Sequence, residues 1–137
     1  MSECIFCKIV NGEIPCYKVW ENEDVLAFLD GFPEVDGHTL IVPKKHLENI
    51  FDTDEVILGK MTKASKEVSL LLKKNFGATG VQLFNNSGKD AEQIVNHMHL
   101  HIIPRFKEDN LKLTLVGEKN PSKDFNKILS KIRGEEQ

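Results

Sequence analysis

The sequence predicts an α+β domain: an antiparallel sheet of about five strands with one long helix and one or two short ones. Three observations predict it. Two compact apolar runs, Val25-Leu26-Ala27-Phe28-Leu29 and Thr39-Leu40-Ile41-Val42, are joined by a link too short for the crossover helix that parallel strands require. A long stretch of helical period follows, over about residues 53 to 76. Further strand-like runs come after it, so the order is strand, strand, helix, strand, strand.

Residues 4 to 11 have room for one or two helical turns before the turn residues Asn11-Gly12-Glu13-Ile14-Pro15, and Val19-Trp20 opens an extended stretch. Val25 to Leu29 reads as a buried strand, and residues 39 to 42 repeat the pattern until Pro43 stops it. In the long helix Ile57, Met61, Ala64, Val68 and Leu71 share a face, Lys60, Lys63, Lys66 and Lys73 lie opposite, Asp52 with Glu55 resembles a capping box, and Gly77 closes the end. Gly80-Val81-Gln82-Leu83-Phe84 reads as another strand, residues 85 to 93 as a polar loop containing Gly88, and residues 97 to 103 as an alternating strand ending before Pro104. A last amphipathic helix is expected from Ser122, using Phe125, Ile128, Leu129 and Ile132, with the charged final residues fraying.

Composition sets outer limits. At 137 residues, 40% apolar and 28% charged, the chain can bury one core. A net charge of −3 without a basic stripe argues against a partner that is long nucleic acid, while leaving a small nucleotide open. No apolar run approaches the roughly 18 to 20 residues of a membrane span, and the opening Met-Ser-Glu-Cys-Ile-Phe-Cys lacks the basic and apolar regions of a secretory leader, so a cytoplasmic protein without a membrane partner is expected. The three cysteines Cys4, Cys7 and Cys16 cannot pair evenly.

Four of the five histidines are His46, His97, His99 and His101, and three of them alternate. In a strand they would share one face, the outer pair about 13 Å apart. A polar strand face is one reading. Three ligands of one metal is a second, made awkward by that span against bonds near 2 Å. Nucleophilic and acid–base chemistry is the third, since imidazole titrates near neutrality and its unprotonated nitrogen attacks phosphorus or carbon. Cys4-Ile5-Phe6-Cys7 is likewise open: half of a Cys₂His₂ zinc site completed by His46 and His97, a redox pair, or two plain thiols.

The run His97-Met98-His99-Leu100-His101-Ile102-Ile103 resembles the signature of the histidine triad family of nucleotide hydrolases and transferases at every position. The resemblance extends to Cys4-Ile5-Phe6-Cys7-Lys8-Ile9, to residues 26 to 30, to Gly37-His38-Thr39-Leu40-Ile41-Val42-Pro43-Lys44-Lys45-His46, and to Asn86-Ser87-Gly88. It looks most like the branch of small nucleotide-binding, nucleoside phosphoramidate hydrolases. It implies the histidine triad fold over residues 4 to 106, with 107 to 137 as an extension carrying the short helix within the same domain.

What the resemblance implies for single residues follows. His99 attacks the α-phosphate and forms a nucleotidyl-histidine that water hydrolyses, with no cofactor required for the chemistry. His101 and His38 assist at phosphate, and Asp30 accepts bonds from the ribose hydroxyls. Asn86 and Gln93 bond phosphate oxygens, while Ile5, Phe6, Ile9 and Phe28, which composition alone would assign to the core, sandwich the base in part. Cys4, Cys7, His46 and His97 hold a structural zinc, leaving Cys16 over. The expected substrate is a purine nucleotide derivative, adenosine by preference, and the expected assembly is a homodimer. One departure stands out: relatives carry Gly-Gln-Ser where this chain has Glu92-Gln93-Ile94, and Ile94 cannot donate the serine's hydrogen bond. It makes a nucleotide-sensing module with negligible turnover an alternative, and a zinc-stabilised scaffold for protein partners a third reading.

Overall fold

A computed structural model describes residues 3–113, 115 and 120–135. Five antiparallel strands form one sheet in the order β1-β2-β3-β5-β4: β1 (Lys18–Glu21), β2 (Val25–Leu29), β3 (Thr39–Pro43), β4 (Gly80–Phe84) and β5 (Leu100–Arg105). The helices are α1 (Ile5–Val10), α2 (Glu55–Phe76) and α3 (Phe125–Arg133), and one 3₁₀ turn, Lys89–Ala91, lies in the polar loop. Among the described residues no helix is long and apolar enough to cross a membrane.

The continuous apolar runs of β2 and β3 are explained by burial on both faces of the sheet. Val25, Ala27 and Ile41 pack with Met61, Ala64 and Val68 of α2 on one face. Leu26, Phe28, Leu40 and Val42 face the other way and pack with Phe6 of α1. Helices on opposite faces thus sandwich the middle strands.

Four local expectations are corrected. The α2 cap is Asp54, whose carboxylate accepts from the Ile57 N–H at 2.9 Å, whereas Asp52 accepts from the N–H groups of Glu48 and Asn49 in the preceding turn. The buried stripe of α2 passes through Leu72 in place of Leu71 and takes in Ser65, whose hydroxyl satisfies itself on the Met61 carbonyl at 2.9 Å. Neither proline stops its strand: Pro43 pairs with Val25, and Pro104 with Val81. Each is tolerated because β3 and β5 pair with each other only over 39–41 and 100–102, so both prolines lie beyond the shared ladder, where a missing N–H breaks no bond. Finally, the alternating strand expected from His97 begins only at Leu100, because the Met98 N–H is taken by the Leu47 carbonyl at 2.7 Å outside the sheet.

The terminal helix forms with Asp124 as its cap, yet Phe125, Ile128, Leu129 and Ile132 are all exposed. Gly37 is required where it stands. Its φ is +90°, and a Cβ would meet Phe76 and Pro104 carbons at 3.0 Å, so only glycine admits the chain into β3 beside them.

Candidate active site and metal centre

The site lies on the α1 side of the sheet and is built from the ends of its central strands. His38 directly precedes β3, Asp30 directly follows β2, and His101 lies in β5 between its register partners Leu40 and Phe84. His97 and His99 come from the irregular segment that leads into β5. All four of these histidines are buried or half-buried.

Backbone groups fix the proton on His97, His99 and His38, and His38 in turn fixes it on His101. His97 donates through Nε2 to the Pro43 carbonyl at 2.8 Å, so its Nδ1 carries the lone pair. His99 is the reverse: Nδ1 donates to the His97 carbonyl at 2.7 Å, so its Nε2 carries the lone pair. His38 accepts the Glu34 N–H on Nδ1 at 3.1 Å, which puts its proton on Nε2, within 3.0 Å of His101 Nδ1 and 3.4 Å of the Asp30 carboxylate. His101 therefore accepts on Nδ1 and keeps its own proton on Nε2. Adjacent triad members thus hold opposite tautomers, and they turn to different partners.

Burial lowers the affinity of these rings for protons. His38, His97 and His99 are each held below the ordinary histidine value chiefly by burial, and for His99 the bond to the His97 carbonyl and the Asp30 charge oppose the shift. His101 is pushed down to about 4, by burial first and then by the neighbouring His99 and His38. Neutral imidazoles are thereby favoured near pH 7.

His97 Nδ1 points at three other donors. It lies 3.3 Å from Cys4 Sγ, 3.5 Å from Cys7 Sγ and 3.2 Å from His46 Nδ1, and Cys7 Sγ lies 3.2 Å from His46 Nδ1. These four atoms all fall within 4.8 Å of one another. A tetrahedral zinc with bonds of about 2.0–2.3 Å sets donor-to-donor edges of roughly 3.3 to 3.8 Å, so the set could close on one ion with little movement. The Pro43 carbonyl supplies the outer hydrogen bond that orients a ligating imidazole. The redox reading of Cys4 and Cys7 fares worse, because burial pushes the Cys7 thiol up to about 11, away from the thiolate that exchange chemistry needs. Asp30, His38 and His101 are gathered as closely, but the proton that the Glu34 N–H forces onto His38 Nε2 occupies the atom that would have to ligate.

The remaining expected residues divide. Phe6 is 6% and Phe28 3% exposed; their rings meet edge to face at 5.6 Å, and Phe6 also meets His97 at 5.8 Å and His99 at 5.1 Å, so Phe6 backs these two histidines with Phe28 packed against it. Ile5 is 47% exposed, whereas Ile9 is half-buried and packs against the cluster of Phe6, Leu26, Phe28, Leu40 and Val42. Asn86 is half-buried, and among the described residues its side chain makes no hydrogen bond. Gln93 is instead fully engaged: Oε1 accepts from the Gly88 N–H at 2.8 Å and Asn49 Nδ2 at 3.3 Å, and Nε2 donates to the carbonyls of Glu48 at 2.7 Å and Val95 at 3.0 Å. It ties the polar loop to the turn after His46. Glu92 takes the left-handed conformation at φ 65°, one that glycine adopts without cost.

Sequence reasoning missed three contributors. Asn85 donates to the His99 carbonyl at 2.9 Å, the Glu34 N–H sets the His38 tautomer, and Phe84 stacks on His101 with centroids 4.4 Å apart and planes 10° apart. Only Phe84 left a trace in the sequence, as the last apolar residue of its strand.

The HIT domain pattern matches residues 11–108 of the chain. An uncharacterised HIT-like protein of Methanocaldococcus jannaschii is 46% identical over 131 residues, covering 96% of this chain and 99% of that one. The Arabidopsis thaliana protein adenylylsulfatase HINT3 is 37% identical over 110 residues, covering 80% of this chain and 56% of that one. A solved structure, a zinc-bound histidine triad family protein from Mycobacterium smegmatis, superposes with a TM-score of 0.78 at 30% identity, covering 98% of this chain and 99% of that one. The gathered histidines, the five-stranded sheet and these matches agree, and this chain belongs to the HIT family.

Proposed function

We propose that this protein hydrolyses, or transfers from, the α-phosphate of purine nucleotide derivatives such as adenosine phosphoramidates, through a covalent nucleotidyl-histidine on His99. One observation carries the proposal: the His97 carbonyl holds the His99 proton on Nδ1, so the Nε2 lone pair is available in a neutral, buried ring beside His101. That lone pair forms the nitrogen–phosphorus bond. The bond from phosphorus to the leaving group breaks with its electron pair, and the leaving atom takes a proton from water. In the second step water attacks phosphorus, the pair returns to Nε2, and the water's extra proton passes to solvent. The Nδ1–H bond to the His97 carbonyl supports the positive charge that grows on His99 during attack.

His101 acts as a neutral donor. With its proton on Nε2 and little tendency to gain another, it stabilises charge on a phosphate oxygen by hydrogen bonding, without proton transfer. Asp30 accepts from the ribose hydroxyls, and Asn86 donates to phosphate. Ile5 and Ile9 bear on the purine, with Phe6 and Phe28 as the floor behind them. Gln93 acts at phosphate by shaping the loop.

Cys4, Cys7, His46 and His97 would hold zinc as a closed structural site, whose chemistry is to pin α1 to the start of β5. The similarity to a zinc-bound family member supports this. Similarity to an adenylylsulfatase supports an adenylyl substrate. The working form would be a cytoplasmic homodimer, with residues 107 to 137 continuing the domain.

Ile94, 91% exposed where a serine would touch phosphate, favours a second reading, a nucleotide-binding module of negligible turnover. The two are separated by assaying adenosine phosphoramidate hydrolysis alongside nucleotide affinity. The hydrolase reading requires turnover that His99→Ala abolishes while the nucleotide still binds. Turnover unchanged in that variant, or absent from the native protein, would overturn it.

A further inference from the structure

We infer that Phe84 is a positioning residue for His101: stacked on the imidazole from the adjacent strand, it fixes the ring plane in which Nδ1 meets His38 and Nε2–H is left for the substrate. The inference rests on the hydrolase reading for its kinetic arm alone.

The geometry begins with register. Phe84 and His101 are partners across β4 and β5, so their side chains leave the same face of the sheet, and Leu40 of β3 is the partner of His101 on its other side. The two rings are nearly parallel, 10° apart in plane and 4.4 Å between centroids, whereas His99 meets His101 at 61° and His38 at 45°. Face-to-face contact of this kind sets the plane of the ring and opposes tilting about the Cβ–Cγ bond. A single hydrogen bond, the 3.0 Å contact with His38, would otherwise be the chief restraint on that rotation. A tilt of the ring out of this plane would weaken the Nδ1 contact with His38 and withdraw Nε2 from its place.

Phe84 is itself held. It closes β4, and the next residue, Asn85, donates to the His99 carbonyl while accepting from the Ser87 hydroxyl at 2.6 Å. Consecutive residues of one strand end therefore grip consecutive triad members, Asn85 through the His99 backbone and Phe84 through the His101 ring.

The test compares Phe84→Tyr, which keeps the face, with Phe84→Leu, which keeps apolar bulk without it, and with Phe84→Ala. In ligand-free protein, ¹H–¹⁵N NMR of His101 between pH 6 and 8 should show one Nε2–H tautomer in the native chain and Phe84→Tyr, and a mixture in Phe84→Leu and Phe84→Ala. On an adenosine phosphoramidate, kcat should fall about 10- to 100-fold in Phe84→Leu with KM within about twofold, and recover in Phe84→Tyr. A single tautomer in Phe84→Leu, or kcat equal to native there, would overturn the inference. The NMR arm needs no turnover, so failure of the hydrolase reading is told apart from failure of this one, and Phe84→Leu decides the matter if Phe84→Ala does not fold.

Discussion

Lowering the pH should destabilise this protein through His101 by a calculable amount. In the folded chain His101 gains a proton only near pH 4, mainly because it is buried, whereas an unfolded histidine gains one near 6.5. Between those values the unfolded state binds more protons, so stability falls as the pH drops through that window and is unaffected above it. From pH 7 to pH 5 the loss from this one group is about 2 kcal/mol, and about 3 kcal/mol once pH 4 is passed. His38 and His99, depressed in the same direction by burial, steepen the total. The assay is urea unfolding of the native chain and of His101→Gln at both pH values. The variant lacks the titrating group, so the native chain should lose about 2 kcal/mol more on acidification. Metal release by acid is common to both proteins and cancels in the difference. Equal losses would refute the claim that the fold holds His101 neutral.

Three further outcomes are expected. Gly37→Ala should cost about 3 kcal/mol in chemical denaturation, since the new methyl meets Phe76 and Pro104 at 3.0 Å from a backbone at φ +90°; a cost under about 1 kcal/mol would mean that the entry to β3 is not rigid. Glu92→Gly should stabilise by about 0.5 to 1 kcal/mol by relieving the left-handed residue at φ 65°, read as a higher urea midpoint at unchanged slope. Zinc present at 1,000 times its Kd should raise stability by about 4 kcal/mol, and Cys7→Ser should erase that gain; zinc-independent melting of the native chain would count against the four-donor centre.

Much of this architecture is written in the residue pattern because burial is simple here. β2 and β3 are buried on both faces, so they read as unbroken apolar runs, and α2 covers one face, so it reads as a helical stripe. The one-residue error, Leu72 for Leu71, reflects a sequence that is apolar at three consecutive positions and so does not name its inner face. The triad misled in a different way. His97, His99 and His101 alternate like a strand, yet only His101 is in one, because a main-chain bond from Met98 to Leu47 diverts the chain beforehand. The division of labour among the histidines was implied by family resemblance, but its physical cause was hidden. The tautomers are set by the carbonyls of Pro43 and His97 and the N–H of Glu34, and backbone groups leave no mark in a sequence. Gln93 shows the same limit: its residue type fits a phosphate ligand, while its four contacts tie loop to turn.

The central claim is that His99 Nε2 attacks phosphorus. Its most direct test is intact-mass and peptide mass spectrometry after rapid quenching of the native protein with an adenosine phosphoramidate under alkaline conditions, which spare a phosphorus–nitrogen bond. One adenylyl group on the peptide containing His99, absent from His99→Ala, is the predicted result. Turnover with no adduct at any quench time, or an adduct that persists in His99→Ala, would contradict it.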